Sequence, residues 1–135
     1  MTDKPDQNQR PLVLVVEDHD DTRFMLRIFL EHDGCAILEA TNGLDALDLA
    51  GRENPDLVLI DGNLPGLDGL SAIRRMREQE SLRDVPIVAL SGHASAEFRN
   101  AARLAGCDAY ITKPLDFVEL RSTMRRLLPT YSHAA

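Results

Sequence analysis

Five side chains able to do polar chemistry follow apolar runs in this sequence. Glu17-Asp18 follows "LVLVV", Asp61 follows "LVLI", Ser91 ends "PIVALS", and Lys113 comes just after "DAYIT". A carboxylate at the end of an apolar run costs free energy unless something compensates it. Three carboxylates brought together also repel one another. A divalent cation with oxygen ligands relieves that repulsion. Mg²⁺ suits the task, because it takes one or two carboxylates and keeps waters and phosphate oxygens. A lysine and a small hydroxyl beside such an ion complete a set fit for a phosphoryl group: a metal, a positive charge and a hydrogen-bond donor. A carboxylate in that set can act as the nucleophile that accepts the group. Taken singly, the residues have cheaper readings. Asp18 alone reads as a helix cap, Ser91 as a turn residue and Lys113-Pro114 as a loop. The joint occurrence, each at the end of a run, is what points to a site.

The runs are strands, and they alternate with helices. Strands are expected at about 12 to 16, in "CAILEA", "DLVLI" and "VPIVAL", and at 108–112. In the first helix, Met25, Ile28, Phe29 and His32 fall at the spacing of one apolar face, and Gly34 closes it. The second helix has Leu44 and Leu47 on one face. The third, after "IDGNLPG", buries Leu70, Ile73 and Met76 or the stem of Arg77. Helix 94–105 is rich in small residues and closed by Gly106. Helix 116–128 spaces Phe117, Leu120, Met124 and Leu127 along one side. Five βα units of this length imply an α/β fold, a doubly wound five-stranded parallel sheet with helices on both faces. The first, third and fourth strands are almost wholly apolar and belong in the middle. "CAILEA" is less uniform and suits an edge. In such sheets the functional crevice lies outside the C-terminal strand ends, where the five residues above fall.

The 135 residues suffice for one domain, expected over 11–129 between a flexible tail at 1–10 and a short tail at 130–135. The net charge of −7 argues against general nucleic-acid binding. No apolar run is long enough to cross a membrane, and "MTDKPDQNQRP" lacks the apolar core of a signal peptide. Cys35 and Cys107 have no metal-ligand spacing and read as reduced structural thiols of a cytoplasmic protein.

The segments "VVED", "LVLIDGNLPGLDG", "PIVALSGHA" and "GCDAYITKPLDFVEL", in this order, resemble the response-regulator receiver domain of two-component signalling. The resemblance covers about residues 11 to 128. Within that family it resembles the small single-domain regulators and the receivers attached to hybrid kinases. It implies the flavodoxin-like strand order 2-1-3-4-5. It implies that Asp61 accepts a phosphoryl group from a histidine kinase or phosphotransfer protein. Mg²⁺ would be held by Glu17, Asp18, Asp61 and the backbone carbonyl of Asn63. Ser91 would be the switch hydroxyl, Lys113 the partner of the phosphoryl oxygens, Tyr110 an aromatic rotamer switch, and Lys113-Pro114 a cis bond. Downstream proteins would meet helix 94–105, strand 108–112 and helix 116–128. Such a chain is a phospho-accepting signalling module of phosphorelays, not an enzyme on a separate substrate, although it can catalyse its own phosphorylation and dephosphorylation.

Three departures from the family pattern stand out. Gly62 replaces a larger apolar residue, Leu64 stands where methionine is common, and Glu17 lengthens one ligand arm. Asn63 and His93 occupy positions expected to tune the lifetime of the phosphorylated state. Three other readings compete. One is a receiver-like scaffold that binds proteins without phosphorylation. A haloacid-dehalogenase-like phosphatase would need a second acid where Asn63 stands. A flavin binder would meet acidic "EDHDD" in place of a glycine loop. His19 reads as structural or exposed, since imidazole is a poor Mg²⁺ ligand. His32 reads as a helix-flank residue, and Asp20, Asp21 and Asp68 as caps. Arg74, Arg75, Arg77, Arg121, Arg125 and Arg126 read as solvated faces.

Overall fold

Strand β1 (Leu12–Val16) carries no polar side chain, and it lies inside the sheet. It pairs in parallel with β2 (Ala36–Ala40) on one side and β3 (Leu57–Asp61) on the other. Strands β4 (Ile87–Ser91) and β5 (Ala109–Thr112) continue in parallel, giving the order β2-β1-β3-β4-β5. This is the expected doubly wound α/β sheet, with the less uniform β2 at an edge. The computed structural model describes residues 10–93, 95–129 and 131. The expected tails at 1–10 and 130–135 lie outside the described residues, apart from Arg10 and Tyr131.

Helices α1 (Asp20–His32), α2 (Gly43–Glu53), α3 (Gly69–Glu78), α4 (Ala96–Ala105) and α5 (Phe117–Leu127) cover the sheet. Successive strand side chains point to opposite faces. Val13, Val15, Leu59 and Val88 meet Leu26 and Leu30 of α1 and Leu120 and Met124 of α5. Leu14, Val16, Ile60 and Ala89 meet Ala46 of α2, Ile73 and Met76 of α3, and Ala102 of α4. Each large aliphatic side chain buried this way contributes about 1.5–3 kcal/mol. An exposed ion pair contributes about 1 kcal/mol or less. The two apolar layers therefore hold the strand ends in place.

Two helix faces differ from expectation. In α1 the buried pair is Leu26 and Leu30, while Phe24, Met25 and Ile28 are 59%, 53% and 50% exposed. This helix is apolar on more than one side, so periodicity alone does not choose the inward stripe. In α2 the buried residues are Gly43, Ala46 and Ala50, and Leu44 is exposed. Close approach explains this, since a Cβ on Gly43 would stand 2.4 Å from the Leu67 carbonyl oxygen. Helix α3 buries Leu70, Ile73 and Met76 as expected.

Two arginines also leave the solvated class. Arg77 donates to the carbonyls of Gly106 at 2.9 Å, Leu82 at 2.8 Å and Val85 at 2.7 Å, and pairs with Asp108 at 2.9 Å. Arg121 forks onto Asp33 at 2.9 and 3.0 Å, and the Tyr131 hydroxyl donates to the same carboxylate. Arg74, Arg75, Arg125 and Arg126 are exposed. Both thiols are free. Burial pushes Cys35 up to about 11 and raises Cys107 as well, which disfavours the thiolate form of both.

The helix ends follow the sequence with one change. Gly34 and Gly106 take the left-handed conformation at φ 94° and 118°. The N-cap of α1 is His19, which makes no side-chain cap bond, and Asp20 and Asp21 sit in the first turn instead of capping. Carboxylates there still favour the positive end of the helix dipole. Asp68 does cap α3, accepting the Ser71 N–H at 3.0 Å. That bond is the first cause holding its carboxyl below the ordinary 3.8. Its stabilisation is complete above the unfolded value and is lost as pH falls through the lower folded value. Asp68→Ala is expected to cost about 1 kcal/mol in urea unfolding at neutral pH. The cost should shrink at about pH 3; an equal cost at both pH values would contradict the assignment.

Candidate functional site

Sheet register sets the strand ends side by side. Val16 is level with Ile60, Asp61 with Leu90, and Ser91 with Thr112. Backbone bonds continue past the strands. Gly62 N–H donates to the Leu90 carbonyl, and Lys113 N–H to the Ser91 carbonyl, each at 2.8 Å. Glu17, Asp18, Asp61, Ser91 and Lys113 therefore share one edge.

Glu17 is fully buried and Asp61 is 2% exposed. Lys113 Nζ donates to Glu17 Oε1 and to Asp61 Oδ2, each at 3.1 Å. Asn63 N–H donates to Asp61 Oδ1 at 2.9 Å. Burial pushes the Asp61 carboxyl above its usual range; the Asn63 N–H opposes this and the Glu17 charge adds to it. Burial pulls Lys113 down, yet the Asp61 charge and the bonds to both carboxylates outweigh it, so the ammonium is held more firmly charged. One ammonium for three carboxylates leaves a negative surplus.

The donor set fits a hard divalent cation. Asp18 Oδ1 is buried and, among the described residues, has no hydrogen-bond partner. An orphaned carboxylate oxygen beside two other acids is what a Mg²⁺ site presents. Glu17, Asp18, His19 and Asp61 each offer one ligand atom, all within 4.8 Å of one another. The His19 side chain is 71% exposed, as expected, but its Nδ1 turns to the acids, 3.0 Å from Glu17 Oε2 and 3.4 Å from Asp18 Oδ1. The Glu17 bond first, then the Asp18 and Glu17 charges, raise its pKa.

Ser91 is fully buried, and its hydroxyl oxygen accepts the His93 N–H at 3.0 Å. The Tyr110 hydroxyl donates to the His93 carbonyl. The two backbone groups of His93 thus tie the buried hydroxyl to the aromatic ring. The Lys113-Pro114 bond is cis.

Phe98 is the site residue that the sequence reading missed. Its ring lies 4.9 Å from that of His93 and 5.9 Å from that of Tyr110. A Cβ on Gly62 would stand 3.1 Å from Phe98 Cζ, tighter than ordinary contact. Phe98 uses the room that a side chain at 62 would need, which accounts for the glycine. The glycine was the signal, but it names no partner until the fold brings α4 over the β3 end.

Comparison with known proteins agrees with this geometry. The response regulator receiver domain profile matches residues 13–125. The polar-differentiation response regulator DivK of Brucella anthropi is 34% identical over 116 residues, covering 86% of this chain and 94% of DivK. An uncharacterized 14.6 kDa protein of Leptolyngbya boryana is 42% identical over 108 residues, 80% of this chain and 82% of its own length. The receiver domain of sensor histidine kinase PA1611 from Pseudomonas aeruginosa aligns with a TM-score of 0.82 at 34% identity, over 87% of this chain and 97% of that one. That structure has a magnesium ion coordinated in its active-site cleft. The chemotaxis response regulator CheY4 of Vibrio cholerae aligns with a TM-score of 0.84 at 27% identity, over 88% and 99% of the two chains. The chain belongs to the response regulator receiver family.

The Gly62–Phe98 contact makes a quantitative expectation. Gly62→Leu should destabilise by about 1–3 kcal/mol, as overpacking does. In a Phe98→Ala background the same change should cost clearly less. A double-mutant cycle in urea reads the coupling, and additive effects would show that the two positions do not share space.

Proposed function

We propose that Asp61 accepts a phosphoryl group from a phosphohistidine of a sensor histidine kinase or phosphotransfer protein, in the cytoplasm, and that this changes a protein-binding surface. The observation that carries the reading is the Lys113 ammonium bridging two buried carboxylates, one of which ends β3. An Asp61 oxygen attacks phosphorus, the P–N bond breaks, and the imidazole leaves with the electron pair. Mg²⁺ bound by Glu17, Asp18, Asp61 and the Asn63 carbonyl would offset charge on the phosphoryl oxygens. Lys113 keeps its charge in this burial and turns it to the same oxygens. Ser91 donates its hydroxyl to a phosphoryl oxygen and gives up the bond from His93 N–H. The His93 segment then releases the Tyr110 hydroxyl, and the ring turns inward. Phosphorylation thereby favours one of two arrangements of α4, β5 and α5 through contacts that only the phosphorylated state makes. The downstream partner binds that face, and no separate substrate is transformed.

The exposed apolar side of α1 gives the donor a place to dock. Phe24, Met25, Ile28, Phe29 and His32 line a groove of about 410 Å³ with Phe117. A second groove of about 260 Å³, lined by Thr22, Met25, Pro114, Leu115 and Phe117, continues from it to Lys113. An apolar patch beside the site suits the apolar face of a helix bearing the phosphohistidine.

Intact mass after incubation with Mg²⁺ and a small-molecule phosphodonor should show one alkali-labile phosphoryl adduct. Asp61→Asn should show none. An adduct undiminished in the variant would sink the assignment, and its absence from the wild type would favour the scaffold reading. Lys113→Ala should keep the fold while the response to phosphorylation falls. Ile28→Ser should slow transfer from a histidine donor by about tenfold, the effect of about 1.4 kcal/mol, and leave labelling by the small phosphodonor unchanged. Equal slowing of both would show that α1 is not the docking side.

A further inference from the structure

Two arginines of α4 have no part in the chemistry at Asp61. Arg99 and Arg103 line a groove of about 350 Å³ along α4 and β5, with Asn100, Cys107 and Tyr110. Both are exposed, and among the described residues neither forms an ion pair with a carboxylate. The carboxylate of the lining, Asp108, is already engaged: Arg77 pairs with it at 2.9 Å, and it accepts the Ile87 N–H at 2.9 Å. Glu97 belongs to the same helix but does not line the groove. Residues four apart on a helix are neighbours on one side. The two guanidiniums therefore form a positive pair one turn apart, on a chain whose net charge is −7. Arg103 donates to the neutral Asn100 side chain. The Arg99 guanidinium carbon stands 5.2 Å from the centre of the Tyr110 ring, within cation–π reach. Arginine and tyrosine are residue types on which interface energy concentrates.

We propose that the output partner docks in this groove with an acidic protein segment, and that Arg99 and Arg103 take two of its carboxylates, spaced one helical turn apart. The dependence on phosphorylation rests on the reading of Asp61 and Tyr110 given above; the choice of an acidic partner does not. With the Tyr110 ring in its present place, Arg99 lies over that ring. When the ring turns inward, the guanidinium loses the contact and its fork is free for a carboxylate. The ring also lines the groove, so its departure widens the space for the incoming segment. The net charge of −7 disfavours nucleic acid as the occupant, because a long polyanion meets that charge outside the groove and a short acidic segment does not.

Fluorescence anisotropy on the full chain tests this with a dye-labelled amphipathic helical peptide that carries leucines and a pair of glutamates one turn apart, and with its copy in which both glutamates are glutamine. The glutamate peptide should bind at least about tenfold more tightly than the glutamine copy. Arg99→Ala and Arg103→Ala should each remove most of that preference. Arg74→Ala, the same loss of charge on α3, should leave it intact. Treatment with Mg²⁺ and a small-molecule phosphodonor, with the label checked by intact mass on the same sample, should raise affinity for the glutamate peptide by about two- to fivefold, the size of an exposed cation–π contact released. Equal affinity for the two peptides, no binding of either, or an equal loss in Arg74→Ala would overturn the acidic partner. A single-stranded oligonucleotide that bound the groove more tightly than the glutamate peptide would overturn it in favour of nucleic acid. An affinity unchanged in a sample that carries the label would overturn the link through Tyr110 and Arg99 while leaving the partner class standing. A sample that takes up no label would overturn the reading of Asp61 instead.

Discussion

Everything at this edge of the sheet follows from charge held where water is scarce. Two buried parallel strands end in acids, and among the described residues one ammonium, that of Lys113, reaches them. Like charges about 4 Å apart repel by about 4 kcal/mol at the effective dielectric of a protein surface. Lys113 offsets part of this, by touching Glu17 and Asp61 at once. The remainder is carried by the apolar layers, whose large side chains pack both faces of β1, β3 and β4. The fold thus tolerates a site that would not assemble by itself. The negative surplus is what prepares the site for cations.

The same edge has a mechanical side. His93 offers its N–H to Ser91 and its carbonyl to Tyr110. A hydroxyl near the acids and a ring toward the α4–β5 surface therefore share one short segment of chain. Any contact that draws Ser91 toward Asp61 competes with a bond that also helps position Tyr110. Under the proposed phosphorylation of Asp61, a local change of charge would be passed to the α4–β5 surface through these two hydrogen bonds.

Much of this was legible in the sequence, for a physical reason. Strands buried on both faces read as unbroken apolar runs, and the residues that end them must fall at one edge of a parallel sheet. The pattern alone therefore places Glu17, Asp18, Asp61, Ser91 and Lys113 together. The capping role of Asp68 was legible too, because it depends only on Ser71 three residues on. What was not legible depends on partners far along the chain. Arg77 and Arg121 look like surface charge until the Gly106 carbonyl and the Asp33 carboxylate are brought to them. The inward stripe of α1 was ambiguous because the helix has apolar residues to spare. Phe98 has no local signature at all, since its role exists only opposite Gly62.

That last contact constrains the order in which the chain can change. Positions 62 and 98 lie on different elements but draw on one volume. Loss of the Phe98 ring opens space in which residue 62 can grow. Growth at 62 first passes through a clash. The two positions therefore constrain each other: a side chain at 62 needs the Phe98 ring to give way or be reduced, and a larger residue at 62 disfavours an aromatic ring at 98 in its present place.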